Sequence, residues 1–120
     1  MEMEYIIAVL IMIAADVATG FLKALRNGEV KSSVMKQGLL SKTSEILVMV
    51  LMYIIDIGAP LVGININLPL VQVVGIYICI MELASVIENV GAVNPQLSKK
   101  LSNIFQDFTK DTREDNNERE

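Results

Sequence analysis

A chain of 120 residues that is 52% hydrophobic, with a mean hydropathy of +0.49, is unusually apolar for a soluble protein of its length and too short for more than one domain. Its net charge of −4 comes mainly from Glu2, Glu4 and the terminal segment 111–120, so it signals no acidic or nucleic-acid partner, and no basic stripe interleaved with aromatics is present. Histidine is absent and Cys79 is the single cysteine, which excludes an intramolecular disulfide, a cysteine-based zinc site and most hydrolytic mechanisms. No catalytic, metal-binding or cofactor-binding residue is therefore expected.

Three long apolar runs dominate the chain, with only Asp16, Lys23, Glu45, Asp56, Glu82 and Glu88 as charges in or beside them. The first, from Tyr5 to Leu25, is long enough to cross a hydrocarbon layer of about 30 Å at about 1.5 Å per residue. Glu2 and Glu4 precede it where a signal peptide carries cations, and Asp16 interrupts it, so a retained span is expected. The second is centred on residues 46–55 and extends back through Gly38, which puts Lys42 and Glu45 at its cytoplasmic mouth. Gly58, Pro60 and Gly63 mark a turn after Asp56, with an uncharged loop over 58–67. The third runs from Leu68 to Val90.

The cations set the direction. Lys23, Arg26, Lys31, Lys36 and Lys42 cluster around the first connection against Glu29 alone, and Lys99 and Lys100 follow the third span closely. The positive-inside rule then places the first connection and the C-terminus in the cytoplasm and the N-terminus outside. After Gly91, Asn94 and Pro95 read as a helix cap and its first residue, and Leu97, Leu101, Ile104, Phe105 and Phe108 recur at helical spacing. That amphipathic helix either lies on the inner leaflet or packs on the span ends or a neighbouring subunit. The reading is thus all-α: an integral membrane domain of three transmembrane helices over 1–93, an amphipathic cytoplasmic helix over 94–108 and a disordered charged tail over 109–120.

Polar residues inside the spans are the candidate functional set, because each charge in the bilayer costs about 2.5–3.5 kcal/mol on insertion scales. Asp16, Thr19, Gly20 and Lys23 share one face of the first span. Gln72, Gly75, Cys79, Glu82, Ser85 and Asn89 trace one stripe on the third, with Glu88 near its inner end, and Asp56 closes the second. Close helix contact is expected at Gly20. A bundle of three helices looks too thin to hide several acids, so these stripes either line a hydrated lumen formed by several copies or hold helices together.

The segment Asp16-Val17-Ala18-Thr19-Gly20-Phe21-Leu22-Lys23-Ala24, followed by Ser32-Ser33, Gly38 and Lys42, resembles the opening signature of the phage-lysis and toxin-secretion holins of Gram-positive bacteria and their phages. Glu82-Leu83-Ala84-Ser85-Val86-Ile87-Glu88-Asn89 is similar to that family's closing signature, and the resemblance covers residues 10–105 or so. The resemblance implies a small multi-pass protein of the bacterial cytoplasmic membrane that oligomerises with itself into lesions passing an endolysin or a large toxin, without required direct binding to that cargo. It carries over Asp16, Thr19, Gly20, Lys23, Glu82, Glu88 and Asn89 as signature positions. Two other function classes fit the span pattern alone: a membrane scaffold or accessory subunit of a transport or secretion machine, and a narrow ion channel.

Overall fold

The computed structural model describes residues 2–119, which form four helices and, among the described residues, no strand: α1 Glu2–Asn27, α2 Ser32–Leu61, α3 Leu70–Val93 and α4 Pro95–Glu118. Met1 and Glu120 lie outside the described residues, as do the ends of the expected outer N-terminus and of the expected tail. α1, α2 and α3 are each long and apolar enough to cross a membrane, with mean hydropathies of 2.2, 1.8 and 2.2 over their best windows. The protein is an all-α integral membrane protein with three transmembrane helices.

Helix ends are written into the local sequence. α1 stops where Gly28 takes φ 66°, with its N–H on the Leu25 carbonyl and the Glu29 N–H on that of Ala24. α2 stops in the same way: Gly63 adopts φ 77° and bonds Pro60, while Ile64 reaches back to Ala59. Both are paired closures of the last helical turn through a left-handed glycine. α4 begins as expected, with the Asn94 side chain accepting from the Leu97 N–H at 3.3 Å and Pro95 in the first turn.

Three boundaries differ from the sequence reading. The turn expected from Gly58 does not open there. The helix absorbs Gly58 and Pro60 and ends at Leu61, because a proline one residue from the end removes only one intrahelical hydrogen bond. At its other end α2 starts at Ser32, well before Gly38, which carries Lys42 deep into the span. α4 likewise continues past residue 108 to Glu118. Lys110 stands three residues after Asp107 and four before Glu114, a spacing that favours helix.

The radius of gyration of 18.9 Å exceeds the roughly 13.6 Å of a compact globule of this length, and the molecule is a slab of 55 × 54 × 17 Å. α1 packs along α3 over most of its length, α2 packs on the N-terminal half of α3, from Val71 to Glu82, and α4 touches only α3 among the other helices. Paired positions fix the directions: Val9 meets Gly75 and Asp16 meets Asn89, so α1 runs parallel to α3, whereas Asp56 meets Val71 and Lys42 meets Glu82, so α2 runs antiparallel. The apolar core is small, made by Val9, Ile13, Met49, Val71 and Ile78. Gly75 is where α1 and α2 both come close to α3. A Cβ there would stand 3.3 Å from the Tyr5 Cβ and 3.4 Å from the Met49 Cε, so the missing side chain is what lets three helices meet. Elsewhere the spans present large apolar side chains outward, including Ile11, Leu22, Leu40, Leu47, Ile54, Tyr77 and Ile80, a surface suited to lipid rather than water.

Candidate functional site

Below the apolar core, at the midpoints of α1 and α3, the polar residues of all three spans converge on one cation. Lys42 Nζ lies 2.8 Å from Asp16 Oδ2 on α1 and 2.6 and 2.7 Å from Glu82 Oε1 and Oε2 on α3. Its own helix contributes Glu45, with Oε1 at 3.6 Å. An ammonium has three protons to donate, and three carboxylate oxygens stand within hydrogen-bond distance of it, so each span is tied to the other two through one atom. Glu82 is only 2% exposed. The pairing is what makes a carboxylate tolerable there, since an unpaired charge taken out of water costs several kcal/mol.

The cluster is one ammonium among three carboxylates, so it is not internally neutral. Glu45 Oε2 is buried and accepts no hydrogen bond from the described residues. The cluster therefore sits under electrostatic tension that water or a further cation would relieve.

One turn further along α1 and two along α3, a second polar layer locks those helices together. Thr19 donates to the Ala15 carbonyl at 2.8 Å, the ordinary habit of a threonine within a helix, and this frees its oxygen to accept from Asn89 Nδ2 at 3.2 Å. The same amide donates to Asp16 Oδ1 at 3.1 Å. Asp16 is thus the shared residue of both layers, bound to Lys42 through one oxygen and to Asn89 through the other. Gly20 lies beside this layer, and a Cβ on it would meet Asn89 Nδ2 at 3.6 Å. That is ordinary van der Waals distance, so within the protomer α1 and α3 are not unusually close at Gly20.

The remaining candidates separate from the cluster. Asp56 stands at the opposite end of the core, where its Oδ2 accepts from the Val71 N–H at 3.2 Å. It caps α3 from another helix, a task that Pro69, in the capping position itself, cannot perform. Gln72 and Glu88 are exposed, while Ser85 and Lys23 are half-buried and, with Glu88 and Asn89, line a groove between α1 and the first third of α2. The single stripe read along α3 is therefore split: Gly75, Glu82 and Asn89 face partners in the same chain, and Gln72 faces outward.

Two expectations need correction. Lys42 is not at the mouth of its span, and it was not among the candidate residues although it organises them. No local signal marks it, because only the packing of α2 on α3 brings this lysine level with Asp16 and Glu82. The bundle does bury one acid, Glu82, because Lys42 of α2 reaches across to it, while Asp16 and Glu45 stay half-buried. Among the described residues there is no group of three or more acidic or cysteine side chains arranged to hold a metal ion.

The profile of the bacteriophage holin family matches residues 2–110, which takes in all three spans, both polar layers and most of α4. No curated protein and no solved structure matches the chain.

Proposed function

The chain belongs to the bacteriophage holin family, and from that premise we propose that it accumulates in the bacterial cytoplasmic membrane, self-associates and opens lesions through which an endolysin, or a large toxin, leaves the cell. The family match across residues 2–110 carries this reading. Physical chemistry supplies a route. The single protomer gathers Lys42, Asp16 and Glu82 between its spans and presents a mostly apolar exterior, so it can build up in a bilayer before any lesion opens. A wet lesion needs polar walls. In this reading the Lys42 cluster supplies them when neighbouring protomers rearrange, because three carboxylates sharing one ammonium are better served by water than by the closed bundle.

The same reading places the N-terminus outside and α4 in the cytoplasm, following the cations at residues 23–42 and at Lys99 and Lys100. It acts by assembly and by no chemical step. Expression in a bacterial host with a separately expressed cytosolic endolysin tests the function: growth should stop abruptly and the endolysin should reach the wall. Continued growth would favour a scaffold, and depolarisation with the endolysin retained would favour a narrow channel.

A further inference from the structure

α4 touches only α3 among the other helices, at a corner around Asn94 where Ser98 lies so close to Gly91 that a Cβ on the glycine would meet its Oγ at 2.8 Å. Beyond that corner every residue from Ser102 to Asp111 is exposed. End to end, α3 and α4 would measure about 72 Å at 1.5 Å per residue, against a longest molecular extent of 55 Å. α4 therefore neither continues α3 nor folds back along it, and it leaves the bundle sideways. Its large apolar residues face one way. Leu97, Leu101, Ile104 and Phe108 follow one another at steps of four, three and four, the seam of a short coiled coil, and Ile104 and Phe108 are 63% and 73% exposed.

We infer that α4 pairs antiparallel with α4 of a second copy through this seam. The inference rests on the self-association proposed above and names a surface that carries it. Charge selects the occupant. One flank of the seam bears Lys100 and then only acids, Asp107, Asp111 and Glu114, while the other flank, with Ser98, Ser102 and Thr109, is uncharged. When Leu97 lies across from the partner's Phe108, and Leu101 across from the partner's Ile104, Lys100 stands beside the partner's Asp107, and symmetry makes that ion pair twice. In a parallel pair Lys100 would meet the partner's Phe105 and find no counter-charge. The anionic inner leaflet is a poorer occupant. It would meet the acids of the charged flank, while Lys99, Lys110 and Arg113 point away on the opposite face, and α4 carries four cations against five acids. The bundles also have room. The two-fold axis passes between residues 102 and 103, so the two Pro95 positions stand about 22 Å apart along the helices, at 1.5 Å per residue, against a molecular thickness of 17 Å. Because α4 runs sideways, that axis follows the membrane normal and both copies keep the same orientation in the bilayer.

Disulfide trapping of the full-length chain in bacterial membranes, with no endolysin present, reads this directly. In a Cys79→Ser background, a tagged chain with Leu97→Cys and an untagged chain with Phe108→Cys should form a mixed disulfide in clear excess over either homodimer. Lys100→Glu in both chains should lower that yield on the order of tenfold, because two attractions become two repulsions. Adding Asp107→Lys to both should restore it, which a merely misfolded helix would not do. An excess of Leu97→Cys homodimers would mean a parallel pair and overturn the inference. So would a yield that Lys100→Glu leaves unchanged. Absence of every α4 disulfide in membranes where formaldehyde still captures oligomers would remove α4 from the interface and leave self-association standing, whereas loss of both would take the proposed function with it. Quenching of a bimane label at Ile104→Cys by brominated lipid at every protein density would give the seam to the inner leaflet and likewise overturn the pairing.

Discussion

Lys42 and Glu82 are forty residues apart and on antiparallel helices, yet the lysine Nζ lies 2.6 and 2.7 Å from the two oxygens of a carboxylate that is 2% exposed. Removing the cation leaves Glu82 facing Asp16 with no counter-charge between them. Lys42→Met should therefore destabilise the protomer by about 3–5 kcal/mol, the usual result of orphaning a buried charge. Glu82→Gln keeps a hydrogen-bonding side chain of the same shape and removes one carboxylate from a cluster that has two too many, so it should cost about 1 kcal/mol. Thermal denaturation of the two variants in detergent checks the order, and a milder loss for Lys42→Met than for Glu82→Gln would contradict it.

The spans themselves were legible in the sequence, because run length and hydropathy respond to the bilayer and to nothing else in the fold. The Asn94–Pro95 start of α4 was equally plain, since capping is a local matter of a few atoms. Lys42 was not legible. Its role depends on where α2 begins, and Ser32-Ser33 with Lys31 and Lys36 looked like loop, because a helix start without a side-chain cap leaves little trace in sequence. Gly58 and Pro60 misled for the opposite reason. They favour turns, but Gly63, two residues past the last helical residue, is the glycine whose positive φ ends the helix. The polar stripes were visible as faces, but a face alone does not say whether its partner is the same chain or another. That required the depth match of Asp16, Lys42 and Glu82.

Gly75 and Gly58 make a matched pair for testing the core. A side chain on Gly75 runs into Tyr5 and Met49, so Gly75→Val should prevent α1 and α2 from closing on α3 and should yield protein that inserts but is rapidly digested by protease. Gly58 has open space around it and lies within α2, so Gly58→Ala should be neutral or stabilising by up to about 1 kcal/mol through helix propensity. Equal protease resistance of Gly75→Val and the parent chain would remove Gly75 from the interface.

Asp56 acts on α3 from a distance. Asp56→Ala should cost about 0.5–2 kcal/mol, as loss of a helix cap does, while Asp56→Asn keeps an acceptor for the Val71 N–H and should retain most of the stability. Amide exchange at Val71 in detergent reports on the bond itself. Unchanged protection in Asp56→Ala would show that the carboxylate is not the cap.

Orientation is open to cysteine labelling in a Cys79→Ser background. Cysteines at Met3 and Asn65 should react with an impermeant reagent added outside intact cells, and one at Asn117 should not. Reaction at Asn117 before lysis would reverse the proposed topology.

Conversion of a dry protomer to a wet lesion makes a prediction at Ser85, which is half-buried one turn from Glu82. With Cys79→Ser as background, Ser85→Cys should resist a water-soluble maleimide while the protein accumulates and should react at the onset of lysis. Labelling that never rises at lysis would confine the polar stripe to holding helices together.

The central claim, that this chain alone opens holes of protein size, is met most directly with purified protein in vesicles loaded with a small dye and a fluorescent protein comparable in size to an endolysin. As the protein-to-lipid ratio rises past a threshold, both cargoes should escape together. Escape of the dye with the fluorescent protein retained at every ratio would contradict the claim and leave only a narrow channel.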